Sequence, residues 1–184
     1  PKSSLTLDTY YKTSADIIGN VNYLYRDGAP DKMGNMTGAY RGSSLSVMNM
    51  VTGYFVNEYE GQEVDCSYAR QLTRQDFTQS CCNYLTNDTW KSCYKSINVA
   101  NAVIKYVDGV EMDNQAQYKA EARFFRALNY FYLVKMFGDV PMVTEPTEDA
   151  TLVEYPTRTA ASEVFNTVII PDLQFAVENL PNAT

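Results

Sequence analysis

The chain has 184 residues, 45% of them apolar, so it is long and hydrophobic enough to form a globular domain with a core. Fifteen lysines and arginines against 22 acidic residues leave a formal charge of −7. Without a basic stripe, this balance argues against nucleic acid and against docking on anionic lipid. The sequence has no histidine, the most common metal ligand and the usual general base at neutral pH, so we expect no metal, no cofactor and no enzyme activity.

Turn residues and helical periodicity predict a chain of helices without strands. The first helix is predicted over residues 13–27 and the second from about Ala39 to Tyr59. In the second helix, apolar residues recur at three- and four-residue steps: Leu45, Met48, Val51 and Phe55. The stretch from about 57 to 86 has no lasting periodicity and predicts a long loop. A loop of this length in a compact domain is usually functional or disordered.

The third helix is predicted to begin near Asn87 or Asp88, which are good N-terminal capping residues, and to continue to Val107. Helix four is expected to begin at Asn114, with Gln117 completing a capping box. It should end at Phe137, because Gly138 is suited to a left-handed C-terminal cap and Pro141 prevents the helix from resuming.

A fifth helix is predicted over about residues 160–180, with a kink near Thr167 caused by Pro171. If this helix is the last of a truncated scaffold, it should expose apolar side chains where the next helix would pack, and so favour dimerisation. Those side chains are Val164, Ile169, Leu173 and Val177.

Helix four has apolar residues on two roughly opposite faces. One face contains Ala120, Phe124, Ala127, Leu128, Phe131 and Val134, and the other contains Ala122, Phe125, Tyr132, Leu133 and Met136. A helix of this kind lies between two neighbours. The spacing Ala120-x3-Phe124-x2-Ala127 is typical of the second helix of a tetratricopeptide repeat, and Trp90, Cys93, Tyr94 and Ile97 suit its first helix. The sequence therefore predicts an all-α fold of tetratricopeptide-like helix pairs.

The chain contains four cysteines, and no two of them have C-x-x-C spacing: Cys66, Cys81, Cys82 and Cys93. In an oxidising compartment, one of the adjacent pair could bridge to Cys66 or Cys93. Free thiols that act as small hydrophobic side chains are an equal alternative.

The second half of the chain resembles the SusD/RagB-like glycan-binding lipoproteins of the Bacteroidetes outer membrane. The resemblance is carried by the run Ala122-Arg123-Phe124-Phe125-Arg126-Ala127, by Tyr130 to Val134, and by the loop Phe137-Gly138-Asp139-Val140-Pro141. Tyr155-Pro156-Thr157-Arg158, the segments 161–165, 172–173 and 180–181, and helix-three residues Trp90, Tyr94, Ile97, Ala100 and Asn101 extend it over most of residues 87–181.

The resemblance implies a SusD-like α/α superhelical fold and a surface-exposed outer-membrane lipoprotein. Such a protein captures an oligosaccharide or polysaccharide without catalysis and delivers it to a TonB-dependent, SusC-like transporter. Family members are longer and carry a lipidated cysteine, so residues 1–184 are expected to form a single N-terminal domain without its lipid anchor. A tetratricopeptide-like module that docks on the transporter without binding sugar is the alternative.

The glycan site is expected in the loop after helix two and on the approach to the tryptophan of helix three, because loops on a rigid scaffold often carry binding residues. The candidate residues are Asn57, Tyr59, Glu60, Asp65, Tyr68, Arg70, Arg74, Tyr84 and Trp90. An ordinary solvated loop is the competing interpretation, and for Trp90 it is a place in the core. Arg123 and Arg126 are expected to pair with Glu121 or a loop carboxylate, and Asp139 is expected to form a turn.

Overall fold

A computed structural model of the protein describes residues 6–28, 51–54, 73–76, 80–147 and 156–182. These residues form helices, and the β-structure among them is one isolated antiparallel bridge between Val140 and Thr159. The all-α prediction is therefore confirmed. Among the described residues, no helix has the length and hydropathy needed to span a bilayer.

The chain divides into two compact units, of which the first comprises residues 1–28 and 93–184 and the second residues 29–92. The expectation of a single domain over residues 1–184 stays a prediction.

The first unit begins with a short helix α1, Leu7–Tyr10, and continues with α2, Ser14–Tyr23, which runs into a π-helical turn, Leu24–Gly28. Thr13 caps α2. Its hydroxyl donates to Asp16 Oδ2 over 2.7 Å and its backbone N–H to the same oxygen over 2.8 Å, and these bonds lower the pKa of Asp16. Ile17, Val21 and Leu24 are buried along one side. The helix predicted over 13–27 is confirmed.

The predicted second helix is wrong at the four residues of it that the structure describes. Val51–Tyr54 form turns, with Gly53 in the positive-φ region at 75°. Glycine tolerates this conformation, which is incompatible with a regular α-helix. The remaining residues of the predicted helix lie outside the described part of the chain.

Helix α3 spans Ser80–Tyr106 and is followed by a 3-10 turn, Val107–Gly109. The predicted start at Asn87 or Asp88 is wrong, because both residues lie inside the helix. The predicted loop is consequently wrong over residues 80–86. Asn and Asp prefer helix ends, but that preference is weak enough for packing elsewhere on a 27-residue helix to override it.

Helix α4, Gln115–Phe137, has the predicted bounds, but its N-terminus is built differently. Asn114 has a left-handed backbone with φ 59° and makes no side-chain cap hydrogen bond, so the predicted capping box is wrong. Gln117 instead donates to Glu121 Oε1 over 2.9 Å. At the other end Gly138 has φ 68°, and its N–H donates to the Val134 carbonyl over 3.0 Å. The helix therefore ends at the predicted glycine with a positive φ, but the ψ of −123° lies outside the left-handed helical region that the sequence predicts.

The last helical region consists of α5, Ala161–Val164, a π-helical segment, Phe165–Ile169, and α6, Ile170–Asn179. Pro171 has no N–H to donate to the carbonyl of Thr167, four residues earlier. The π-helical segment lies at that position, so the helix departs from α geometry where the sequence predicts a kink.

Helix α4 has neighbours on more than one flank. It packs against α6 and the 165–169 segment on one side and against α2 with its π-helical turn on another. The Phe131 and Phe165 rings lie 6.2 Å apart on the first side, and the Phe125 and Tyr25 rings 4.8 Å apart on the second. The expectation of a helix enclosed between neighbours is confirmed.

The apolar pattern of α4 does not decide which side chains are buried. Phe124 and Phe131 are 37% and 38% exposed, although the sequence predicts both on a buried face. On the last helix, Val164 and Ile169 are buried, so the prediction that they are exposed is wrong, whereas Leu173 and Val177 are 39% and 82% exposed. Helical periodicity identifies a face, but the neighbours decide how far that face is covered.

A buried polar cluster, formed by Asn101, Arg126 and Asp172, joins α3, α4 and α6. Arg126 donates from Nε and Nη2 to the two carboxylate oxygens of Asp172 over 2.7 and 2.9 Å, and from Nη1 to Asn101 Oδ1 over 2.9 Å. The structural role expected for Arg126 is present, but its partner is Asp172 of α6 rather than Glu121 or a loop carboxylate. Arg123 lies above the Phe175 ring, 4.3 Å from its centre, with its Nε 3.8 Å from Asp172.

The segment after Gly138 is hydrogen-bonded to α3 and α4. Asn101 Nδ2 donates to the Val143 carbonyl over 3.0 Å, the Tyr130 hydroxyl donates to that carbonyl over 2.9 Å, and Tyr94 donates to the Pro141 carbonyl over 2.7 Å. Cys93 is a free, buried thiol, and burial raises its pKa to about 12. At this position the small-hydrophobe interpretation of the cysteines holds.

Candidate functional site

The structure describes three of the predicted glycan-binding residues. Arg74 is exposed, Trp90 is half-buried on α3, and Tyr84 lies in the same helix, where only its backbone is described. The other predicted residues lie outside the described part of the chain: Asn57, Tyr59, Glu60, Asp65, Tyr68 and Arg70. The assignment of all nine to a glycan site stays a prediction.

Two short segments of the second unit are joined to each other. Gln75 donates from Nε2 to the Val51 carbonyl over 3.2 Å, which links residues 73–76 to the turn Val51–Tyr54, here called the Tyr54 turn. Both segments have a residue with positive φ: Gly53 at 75° and Gln75 at 57°. Within the turn, the Tyr54 N–H donates to Thr52 Oγ1 over 3.3 Å. These bonds set Arg74 and Tyr54 on two connected pieces of backbone.

Tyr54 extends into solvent from this turn. Its side chain is 89% exposed, the largest exposure among the large hydrophobic side chains of the described residues. A tyrosine ring has an apolar face and a polar hydroxyl, and such rings are enriched where proteins bind partners. The face can cover the C–H side of a sugar ring, and a nearby guanidinium can donate hydrogen bonds to hydroxyls.

Sequence reasoning missed Tyr54 because it lay inside the predicted second helix, where it would count as a packing residue. The signal that could have found it is the preceding glycine. Gly53 marks a positive-φ turn, and a large aromatic residue directly after such a turn is held away from a helix surface.

Two further polar residues of the second half of the chain have structural roles. Asp139 accepts from the Ala161 N–H over 3.0 Å, and its carbonyl accepts from Arg158. Its turn-forming role is therefore present and extends to capping the start of α5. Arg126 is enclosed by Asp172 and Asn101, as described above. No group of three or more His, Cys, Asp or Glu side chains suited to a metal ion occurs among the described residues.

The sequence profile of the SusD-like family, described as "Starch-binding associating with outer membrane", matches residues 30–184. The chain therefore belongs to the SusD-like family.

Similar proteins occur in Formosa agariphila and in Bacteroides ovatus. The chain is 27% identical over 184 residues to SusD-like protein P2 of Formosa agariphila, an alignment that covers 99% of this chain and 34% of that protein. It is 35% identical over 98 residues to a SusD-like protein of Bacteroides ovatus, covering 50% of this chain and 17% of the relative.

Solved structures share the fold of this chain. A SusD superfamily protein from Parabacteroides distasonis superposes with a TM-score of 0.68 at 24% identity, over 89% of this chain and 33% of that one. A structure described as being with xylogluco-oligosaccharide superposes with a TM-score of 0.63 at 22% identity, over 91% of this chain and 30% of that one. The chain thus spans about a third of the length of these proteins.

Proposed function

We propose that this protein binds oligosaccharide at the surface of the bacterial outer membrane, without catalysis, as part of a lipid-anchored protein. The captured glycan is delivered to a TonB-dependent, SusC-like transporter. The observation that carries the proposal is the family match over residues 30–184, since the family is described as starch-binding and associated with the outer membrane.

The geometry of the second unit supports the binding role. An aromatic side chain that is 89% exposed lies on a turn that the Gln75–Val51 hydrogen bond holds in place. Holding the turn before the ligand arrives reduces the entropy lost on binding. Arg74 lies on the joined segment and supplies donors for sugar hydroxyls. We propose Tyr54 and Arg74 as glycan contacts, together with the other predicted residues of the 57–90 region.

Two buried or capping carboxylates of the described residues are not candidates for the catalytic pair of a glycoside hydrolase. A hydrolase needs two carboxyl groups that face each other across the sugar bond, roughly 5–10 Å apart. Asp172 is enclosed in an ion pair with Arg126, and Asp139 caps α5. Both carboxylates therefore already serve the fold.

Calorimetric titration of the protein with maltoheptaose and with a xylogluco-oligosaccharide tests the proposal. We expect saturable binding to at least one of them, and the Tyr54→Ala variant should bind about tenfold more weakly. Tyr54→Phe retains the ring and should bind nearly as well as the parent. Arg74→Ala should weaken binding, whereas Lys135→Ala, which removes an exposed cation from the first unit, should not.

Two results would count against the proposal. A folded protein that binds no oligosaccharide from a broad glycan array is not a glycan-capture protein. Release of new reducing ends from a bound glycan would contradict the non-catalytic role.

The alternative function is protein docking on the transporter without sugar, and exposed apolar side chains of α4 and α6 favour it. Phe124, Phe131, Leu173 and Val177 are all between 37% and 82% exposed on two helices that pack together. Affinity capture from outer membranes separates the functions. Docking alone predicts recovery of a barrel protein in the absence of sugar, together with no calorimetric signal for any glycan.

A further inference from the structure

A pocket of about 430 Å³ lies in the first unit, between α2 and the start of α4. Helix α2 supplies Ser14 and Ile18, the loop of residues 111–114 supplies the side facing them, and α4 supplies Tyr118. Its volume falls within the range of about 300–1,000 Å³ that is typical of small-molecule sites.

Hydrogen bonds at both ends hold the loop of residues 111–114 in place. Gln115 donates from Nε2 to the carbonyls of Val107, over 3.3 Å, and of Val110, which ties the first turn of α4 to the end of the 3-10 turn. Asn114 adopts a left-handed backbone and turns the chain into α4, and its carbonyl accepts the Tyr118 N–H over 3.1 Å. The pocket wall is therefore part of the scaffold.

The lining combines apolar and polar groups. Ile18, Met112 and Tyr118 are half-buried, whereas the carboxylates of Glu111 and Asp113 and the amide of Asn114 are exposed at the rim. Within the described part of the chain, none of these three rim side chains makes a hydrogen bond or an ion pair. Asp108, in contrast, is paired with Lys119 just outside the pocket. The lining thus combines exposed acceptors and an amide with half-buried apolar side chains and one aromatic ring.

These groups match the chemistry of a neutral sugar. A pyranose ring presents C–H groups on its faces, which suit Tyr118 and Met112, and hydroxyl donors at its edge, which suit carboxylates and an amide. The lining contains two carboxylates and no cationic side chain. A uronic or sulfated sugar would bring a like charge next to them, which is unfavourable.

We propose that this pocket is a second contact site for a saccharide chain, that it accepts neutral sugar units, and that it excludes acidic ones. The proposal rests on the proposed function and adds a site in the first unit, separate from the Tyr54 turn.

Methyl NMR on the protein tests this site directly, because Ile18 and Met112 provide reporters in the pocket and Ile169, which is 2% exposed, provides a buried reference. Maltoheptaose and a xylogluco-oligosaccharide are titrated separately, followed by an oligogalacturonide of similar length. We expect at least one neutral probe to shift the Ile18 and Met112 signals saturably without moving Ile169. The galacturonide should leave all three unchanged.

Variants determine which groups act. Tyr118→Ala should lower the affinity measured from the Met112 shift about tenfold, while Tyr118→Phe should preserve that affinity. The double variant Glu111→Gln with Asp113→Asn should keep the affinity for the neutral probes within about threefold of the parent's. It should also allow the galacturonide to shift the Met112 signal. The unchanged Ile169 signal shows that each variant is folded.

The outcomes separate this site from the proposed function. Suppose that calorimetry detects binding and that Tyr54→Ala weakens it, but that the Ile18 and Met112 signals do not shift. This result would overturn the second site and leave the proposed function intact. Absence of any oligosaccharide binding would overturn both. A Met112 shift produced by calcium chloride alone, with none from the neutral probes, would show a cation site and overturn the saccharide assignment.

Discussion

Replacing Arg126 by methionine is expected to cost a large part of the stability of the first unit. The change keeps an unbranched stem but removes three hydrogen bonds of 2.7–2.9 Å, two to Asp172 and one to Asn101. Asp172 is 2% exposed, so its carboxylate would stay buried, and among the described residues the remaining cation paired with it is Arg123, 3.8 Å away. Breaking one side of a buried ion pair costs about 3–5 kcal/mol.

The assay is urea and thermal unfolding of the parent and variants. For a chain of this length each kcal/mol shifts Tm by about 2–4 °C, so Arg126→Met should lower Tm by about 10 °C. The double variant Arg126→Met with Asp172→Leu removes both charges and should be more stable than Arg126→Met alone.

Arg123→Met is the matched control. Its guanidinium is partly exposed and its Nε makes no hydrogen bond, so its removal should cost about 1 kcal/mol or less. If Arg126→Met and Arg123→Met lose the same small amount of stability, or if the double variant loses the sum of its single changes, the Asn101–Arg126–Asp172 cluster does not stabilise the fold as a buried ion pair.

Two further predictions concern backbone strain and alkaline pH. Gly138→Ala places a β-carbon at φ 68° and should cost about 1–3 kcal/mol in unfolding experiments, although no atom lies within 4 Å of that carbon. Gly19→Ala, in the interior of α2 and equally free of clashes, should instead stabilise by about 0.5–1 kcal/mol, and equal effects at both sites would refute the strain argument. Burial raises the pKa of Tyr130 to about 12, so between the ordinary value near 10 and 12 the unfolded chain loses a proton that the folded one keeps. Stability should therefore fall as pH rises above about 10, and Tyr130→Phe should make that fall shallower; an unchanged slope would contradict the assignment.

Helices whose limits are set by local chemistry were predictable from the sequence. Thr13 caps α2 and Gly138 ends α4 through bonds to residues within four positions, and the π-helical segment follows from the missing N–H of Pro171. The start of α3 was not predictable in this way, because the capping preference of Asn87 and Asp88 is weaker than the packing of the helix that contains them.

The candidate sites were less predictable because they depend on contacts between distant residues. From the sequence alone, Arg126 is a charge at the edge of an apolar face. Its partner Asp172 lies 46 positions later in the chain, and only the fold brings the two together. The pocket joins Ser14 and Ile18 to a loop that lies about a hundred positions further along the chain. The exposure of Tyr54 depends on the turn that contains it, and the φ of 75° at Gly53 is a property of the backbone that the periodicity of the sequence does not show.

The position of Asp172 also has a consequence for biosynthesis. During translation, Arg126 leaves the ribosome well before its counter-ion does, and N-terminal segments ordinarily begin to fold first. Until residue 172 emerges, α4 carries an uncompensated guanidinium on the side that must become dry. We therefore expect α4 to pack stably against α3 and α6 only after residue 172 has left the ribosome.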